Sequence, residues 1–216
     1  MKSARDTMDN NPNAQTHNSL RERQKQQLRR ELISTALRLF EEKGLDATSV
    51  DDIAARAGVA KGTFYLYFKA KSDIISAIVE DCLTKLESCI SSAVESSPED
   101  APEALKTLVR AYITFFEQNP AQFSLLSEGI NSHQMSNETR NSLQTRYNAA
   151  TTDIYERLIR KGMLQRHFRE IDAHLAASTL LAMISNMIDN CNGSNTVSEA
   201  CEVAFDIFNR GIKYGG

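Results

Sequence analysis

The sequence predicts an all-α protein of about nine helices, with a small three-helix head near the N-terminus and a larger helical body following it. Three observations carry this. Apolar residues recur at spacings of three and four along almost the whole chain, and no convincing alternating run breaks that rhythm. Gly44 and Gly58 stand where periodic segments stop, as helix-ending glycines do. The sign of the charge changes along the chain: residues 21–71 hold 11 Lys and Arg against 7 Asp and Glu, a local +4, whereas residues 72–216 sum to −7. The composition is that of an ordinary soluble globule, with 41% apolar and 25% charged residues among 216, no Trp and 4 Pro.

Residues 1–19 are rich in Asn, Ser, Thr and Gln with almost no large apolar group, so they are expected to form a disordered arm. The head is expected over 20–70 and the body over 71–216. A first helix spans 20–43, with Leu28, Leu32, Ala36, Leu37, Leu39 and Phe40 on one side and Arg21, Arg23, Lys25, Arg29 and Arg30 crowding its first half. In "ATSVDDIAARAG", Thr48 or Ser49 can cap a second helix, since each has an Asp three residues on. Val50, Ile53, Ala54 and Ala57 form its buried face and Gly58 ends it. A third short helix covers 61–67, with Phe64 and Phe68 inward. The fourth, opened by Lys71, carries Ile74, Ile78, Cys82, Leu86, Cys89 and Ala93 along one side until "ESSPEDAP" breaks it. Further helices are expected over 104–118, 120–129, 136–161 with Gly162 as its stop, 172–190 and 197–212. There is no internal repeat.

No stretch reaches 18 apolar residues, which argues against a membrane span, and the N-terminus lacks the apolar core of a secretion signal. Cys82, Cys89, Cys191 and Cys201 form no CxxC pair and sit in apolar helical stretches, as buried thiols of a reducing cytoplasm do. The four histidines, His17, His133, His167 and His174, fall in no HExxH or Cys/His metal spacing. With no phosphate-cradling glycine loop, no GxSxG and no nucleophile–base pair, no catalytic residue, metal site or cofactor is expected.

Two short helices joined by a tight glycine turn make a helix-turn-helix, in which the second helix enters the DNA major groove. The residue types suit that role. Lys61 stands at the helix start, within reach of a guanine edge or a phosphate. Gly62 lets backbone approach closely. Thr63, Tyr65 and Tyr67 bring hydroxyls suited to phosphate oxygens, and Lys71 combines with the N-terminal amides of the fourth helix. The local +4 suits a polyanion touching only that end. Helix pairs of this kind also occur in proteins that never touch DNA, and a run of charge is ordinarily a solvated face.

"VDDIAARAGVAKGTFYLYFKAKSDII" closely resembles the DNA-binding signature of the tetracycline-repressor (TetR/AcrR) family of transcriptional regulators. The matching positions are Ile53-Ala54, Ala57-Gly58-Val59, Lys61-Gly62-Thr63, Tyr65, Tyr67-Phe68 and Lys71, and "ALRLFEEKGLDATSV" upstream is similar as well. The resemblance implies base-edge contacts from Lys61 and Gly62 and phosphate contacts from Thr63, Tyr65, Tyr67 and Lys71, with a backbone contact from Ser49. Leu66 departs from it, standing where many members have a polar or aromatic contact residue.

The resemblance further implies a homodimer paired through 172–190 and 197–212, a palindromic double-stranded operator, and an unidentified small-molecule effector that releases it. The effector is expected between the fourth helix and 172–190, with Phe115, Phe116, Phe123, Met135, Tyr147, Tyr155 and Met187 as candidate lining, and to be hydrophobic or weakly polar. Aromatic and Met residues at helical spacing are also ordinary core. The rival reading is an architectural or partner-binding DNA-associated protein of the same fold without an effector.

Overall fold

The computed structural model describes residues 12–131, 135–190 and 196–214, except the side chains of 12–19 and 128–131; His133 and Cys191 lie outside these. The all-α expectation holds. The helices are α1 (Pro12–Lys43), α2 (Val50–Arg56), α3 (Lys61–Tyr65), α4 (Lys71–Glu95), α5 (Ala101–Glu117), α6 (Pro120–Asn131), α7 (Asn137–Ala150), α8 (Thr152–Leu164), α9 (Ala173–Asn190) and α10 (Val197–Ile212). Among the described residues the sole β feature is an isolated bridge between Phe168 and Lys213. The chain divides into two compact units, the first ending at Ala70 and the second beginning at Lys71.

In the first unit α1 begins at Pro12, eight residues ahead of the Leu20 start read from the sequence, so residues 12–19 of the expected disordered arm are helical. Proline suits such a start, because its fixed φ is helical and its missing N–H is one a first turn leaves unbonded anyway. Leu32, Ala36, Leu39 and Phe40 of α1 are buried, as are Ile53 and Ala54 of α2 and Phe64 of α3. Gly44 ends α1 with a φ of +84°, a left-handed conformation that costs a side-chain-bearing residue energy, and its N–H donates to the Phe40 carbonyl at 2.9 Å. The buried Thr48 hydroxyl then pins the turn, lying 2.9 Å from the Gly44 carbonyl and 3.2 Å from that of Leu39.

The second unit is a helical bundle. α4 packs against α5, α6 and α7; α5 also meets α8 and α10; and α9 lies between α8 and α10. The helix read as continuous over 136–161 is two. It breaks at Thr151, whose φ and ψ of −126° and −86° are not helical and whose hydroxyl donates to the Tyr147 carbonyl at 2.7 Å. A threonine bonding back to the carbonyl four residues earlier is a known cause of bends.

Gly162 does not end a helix. α8 continues to Leu164, and the left-handed position falls at Arg166, φ 61°. Gly162 serves packing instead: the Phe168 ring occupies the space a Cβ would need. Phe168 is fully buried there, and the chain around it is fastened where Arg169 donates through its backbone N–H to the Ile212 carbonyl and through Nε to that of Gly211, both at 2.9 Å. Gly162→Ala should therefore cost about 1–3 kcal/mol in chemical denaturation, by overpacking. A variant as stable as wild type would contradict this packing.

Candidate nucleic-acid interface

The short helix α3 owes its position to its neighbours. α2 is capped by a reciprocal pair: the Ser49 hydroxyl accepts the Asp52 N–H at 3.1 Å, while the Asp52 carboxylate accepts the Ser49 N–H at 2.9 Å and its hydroxyl at 2.6 Å. These bonds from Ser49, with Lys43 at 3.1 Å, hold the Asp52 carboxyl far below the usual carboxylate range. Arg56 grips Glu42 of α1 with both terminal nitrogens, at 3.1 and 2.8 Å, which lowers the Glu42 pKa. Gly58, with a φ of +70°, makes the turn into α3.

α3 is a single turn and a half, and it buries one side. Phe64 is inaccessible and Phe68 nearly so; their rings lie 5.6 Å apart, and the Arg29 guanidinium stands 5.2 Å over Phe68. Lys61, Gly62, Tyr65 and Leu66 form the exposed side, with Leu66 78% exposed, while Thr63 and Tyr67 are half-buried. Tyr67 lies in the turn after α3, which stops at Tyr65 rather than at residue 67. Four of the seven residues singled out in the sequence thus lie on one short element, and a fifth, Tyr67, lies in the turn that follows it. Ser49 is exposed at the α2 cap, its hydroxyl engaged there, and Lys71 opens α4 in the second unit.

One partner the sequence reading missed is Asp51, whose carboxylate lies 2.9 Å from the Lys61 ammonium and raises its pKa. Both side chains are exposed, so the pair is weak and readily exchanged for another anion. The ten-residue separation of Asp51 and Lys61 carries no helical periodicity, and only the turn at Gly58 brings them together.

The body contains a cavity of about 140 Å³ lined by Tyr112, Phe123, Leu126, Ser127, Gln144, Tyr147 and Ser185. Of the residues expected to line a pocket, Phe123 and Tyr147 do so. Phe115, Phe116, Met135 and Tyr155 are buried elsewhere in the core, where Phe116 packs edge-on against Phe115, Tyr112 and Phe123. Met187 is 36% exposed at the surface of α9. The cavity is polar at one wall: the Tyr112 hydroxyl lies 2.9 Å from that of Tyr147 and 3.3 Å from that of Ser185. Burial pushes the Tyr112, Tyr147 and Tyr155 phenols up. No helix among the described residues is long and apolar enough to cross a membrane, and those residues hold no cluster of three or more potential metal ligands.

A capped helix, a glycine turn and a short second helix with a basic and hydroxyl-bearing outer face define a DNA-binding helix-turn-helix protein. Family comparison agrees. Residues 32–78 match the model described as bacterial regulatory proteins, tetR family, and residues 98–212 match the tetracyclin repressor-like C-terminal domain. The chain belongs to the TetR family of bacterial transcriptional regulators, which are DNA-binding proteins and not enzymes. It is similar to the transcriptional regulator EthR of Mycolicibacterium smegmatis, 31% identical over 123 residues; the match spans 57% of either chain. It is also similar to the regulator YvdT of Bacillus subtilis, 28% identical over 72% of this chain and 77% of that one. Among solved structures, the TetR-family regulator PfmR of Thermus thermophilus superposes with a TM-score of 0.73 at 30% identity, covering 83% of this chain and 97% of PfmR.

Both sites can be probed by single substitutions. Among the described residues nothing beyond Gly62's own chain neighbours and helix backbone lies within 4 Å of where its Cβ would stand, so Gly62→Ala should leave stability unchanged or raised by up to about 1 kcal/mol. Duplex DNA binding, measured by fluorescence anisotropy, should nonetheless weaken at least several-fold. Tyr155 and Tyr112 should respond oppositely to loss of their hydroxyls. The buried Tyr155 hydroxyl has no hydrogen-bond partner among the described residues, so Tyr155→Phe should stabilise by about 1 kcal/mol, whereas Tyr112→Phe breaks two bonds and should destabilise by about 1–2 kcal/mol. The pH profile has a definite sign. A raised phenol pKa keeps its contribution below the unfolded value of about 10 and loses it above, as the unfolded chain ionises first. Thermal midpoints should therefore fall above pH 10, less steeply in Tyr155→Phe.

Proposed function

We propose that this protein is a dimeric repressor that reads a palindromic operator with α3 and is released from it by a small molecule bound in the body. The observation that carries the DNA half is the convergence of Lys61, Gly62 and Tyr65 on the exposed side of a helix whose other side is locked by Phe64 and Phe68. In this reading Lys61 leaves Asp51 for a guanine edge or phosphate, Gly62 admits the groove wall, and Thr63, Tyr65, Tyr67 and Lys71 hold backbone phosphates, with Ser49 adding a contact at the α2 start. Such a regulator works beside the chromosome, in the cytoplasm.

Dimerisation is supported by apolar side chains that the chain itself leaves exposed on the last two helices: Leu175 and Met187 on α9, Val203 and Ile207 on α10. The opposite side of α10, with Cys201, Ala204, Phe205, Phe208 and Ile212, is buried within the chain. A two-fold pair built on the exposed side would present two copies of α3 to half-sites about 34–36 Å apart, or a multiple of that.

The cavity beneath Tyr112 and Tyr147 is the proposed effector site. The described residues of its walls carry hydroxyls, one amide and apolar groups but no charge, which suits a neutral, weakly polar molecule. At about 140 Å³ it is smaller than drug-sized pockets, so a larger ligand requires its walls to part. α4 begins directly after Ala70, where the first unit ends, and an effector that favours a different setting of α4 would release DNA.

Selection of bound duplexes from a random pool tests the DNA reading. Wild type should enrich a palindromic consensus that Lys61→Ala with Tyr65→Ala loses; enrichment untouched by those changes would refute it. Val203→Asp with Ile207→Glu should yield a monomer by analytical ultracentrifugation and lose the operator, and a stable dimer would place the interface elsewhere.

A further inference from the structure

The cations of the first half of α1 are not used by the reading helix, and the structure gives part of them a place. A groove of about 520 Å³ runs between α1 and the end of α3, lined by Arg21, Gln24, Lys25, Leu28, Leu66 and Tyr67. Residues 21, 24, 25 and 28 follow the i, i+3, i+4, i+7 spacing of a single helix face, so Arg21 and Lys25 stand one turn apart on the same wall. Among the described residues no carboxylate lines the groove.

Arg21 and Lys25 differ from the engaged cations of the unit, and from the equally exposed Arg23 and Arg30 in lining this groove. Lys43, Arg56 and Lys61 are each held by a carboxylate, on Asp52, Glu42 and Asp51. Arg29 lies over the Phe68 ring. Neither Arg21 nor Lys25 takes part in an ion pair found among the described residues, and both are exposed. The opposite wall is Leu66 and Tyr67, which directly follow α3. Leu66 is 78% exposed, and with the half-buried Leu28 it gives the groove an apolar side beneath two cations.

Two positive charges, an amide, a phenol and an apolar strip match a sugar–phosphate backbone: phosphate oxygens for Arg21 and Lys25, hydrogen bonds from Gln24 and Tyr67, and deoxyribose carbons against Leu28 and Leu66. Acidic peptide is the weaker fit, since the cations stand beside the very turn that the proposed recognition helix runs into. We propose that this groove is a second seat for operator DNA, in which Arg21 and Lys25 hold backbone phosphates flanking the major groove entered by α3. The inference rests on the reading of α3 as the recognition helix, and it gives the exposed Leu66 a contact of its own.

Counterion release supplies the test, because each phosphate neutralised adds about 0.9 to the slope of log affinity against log salt. Binding of wild type and of Arg21→Ala with Lys25→Ala would be titrated between about 50 and 200 mM NaCl, on the duplex recovered by selection and on a scrambled duplex. The double variant should bind both duplexes about tenfold more weakly, lose about 1–2 from the slope, and select the same consensus as wild type. Arg21→Lys with Lys25→Arg should restore the slope, while Lys85→Ala, which removes a surface cation of α4, should not change it. An unchanged slope and affinity in the double variant would overturn the groove while leaving α3 as the reader. An altered consensus would overturn the phosphate role, since base reading would then be involved. Failure of wild type itself to enrich any sequence would overturn the reading of α3, and the groove with it.

Discussion

A helix of five residues cannot hold itself together in water, since forming its first turn costs more backbone entropy than its few hydrogen bonds return. α3 has that length, so its place and orientation are set by what anchors it. The anchors are Phe64 and Phe68, withdrawn from water on one side, and the Gly58 turn, which fixes where the helix begins. α2 must in turn be held against α1, which the burial of Ile53 and Ala54 and the Thr48 bonds to the α1 end accomplish. With one side fully committed, the residues that remain outward are those with the chemistry of a nucleic-acid surface. The presented surface is thus a consequence of the buried one.

The charges of this unit follow a second constraint. Lys61 is neutralised by a carboxylate at its own surface, and exposed pairs of this kind contribute little to stability. They can be exchanged for phosphate at small cost, so a cation stored on Asp51 remains available to a polyanion. The acidic body, −7 over residues 72–216, repels the same polymer, which leaves the first unit as the favourable place for it to settle.

Much of this was legible in sequence, for identifiable reasons. The ends of α1 and α2 were announced by Gly44, by the Ser49-x-x-Asp52 box and by Gly58, local signals that tertiary structure had no cause to override. Features that depend on distant partners were not. Gly162 resembles a stop until Phe168 is seen to fill its space, and the Thr151 break interrupts a periodic pattern without changing it. Most of the cavity wall was missed, its polar part because Tyr112, Gln144 and Ser185 come from three helices, and nothing in any one helix marks the polar atom that the others will face. Met187 has the side chain of a core residue yet is exposed.

The central claim is that α3 lies in the major groove in two copies related by a two-fold axis. Methylation interference at guanine N7, an atom reached only from the major groove, tests it most directly on the selected duplex. The account predicts interference in two clusters placed symmetrically about one centre and about 10–10.5 base pairs apart or a multiple of that, with Lys61→Ala abolishing it at specific guanines in both. Binding indifferent to N7 methylation, or a single cluster without a symmetric mate, would contradict it.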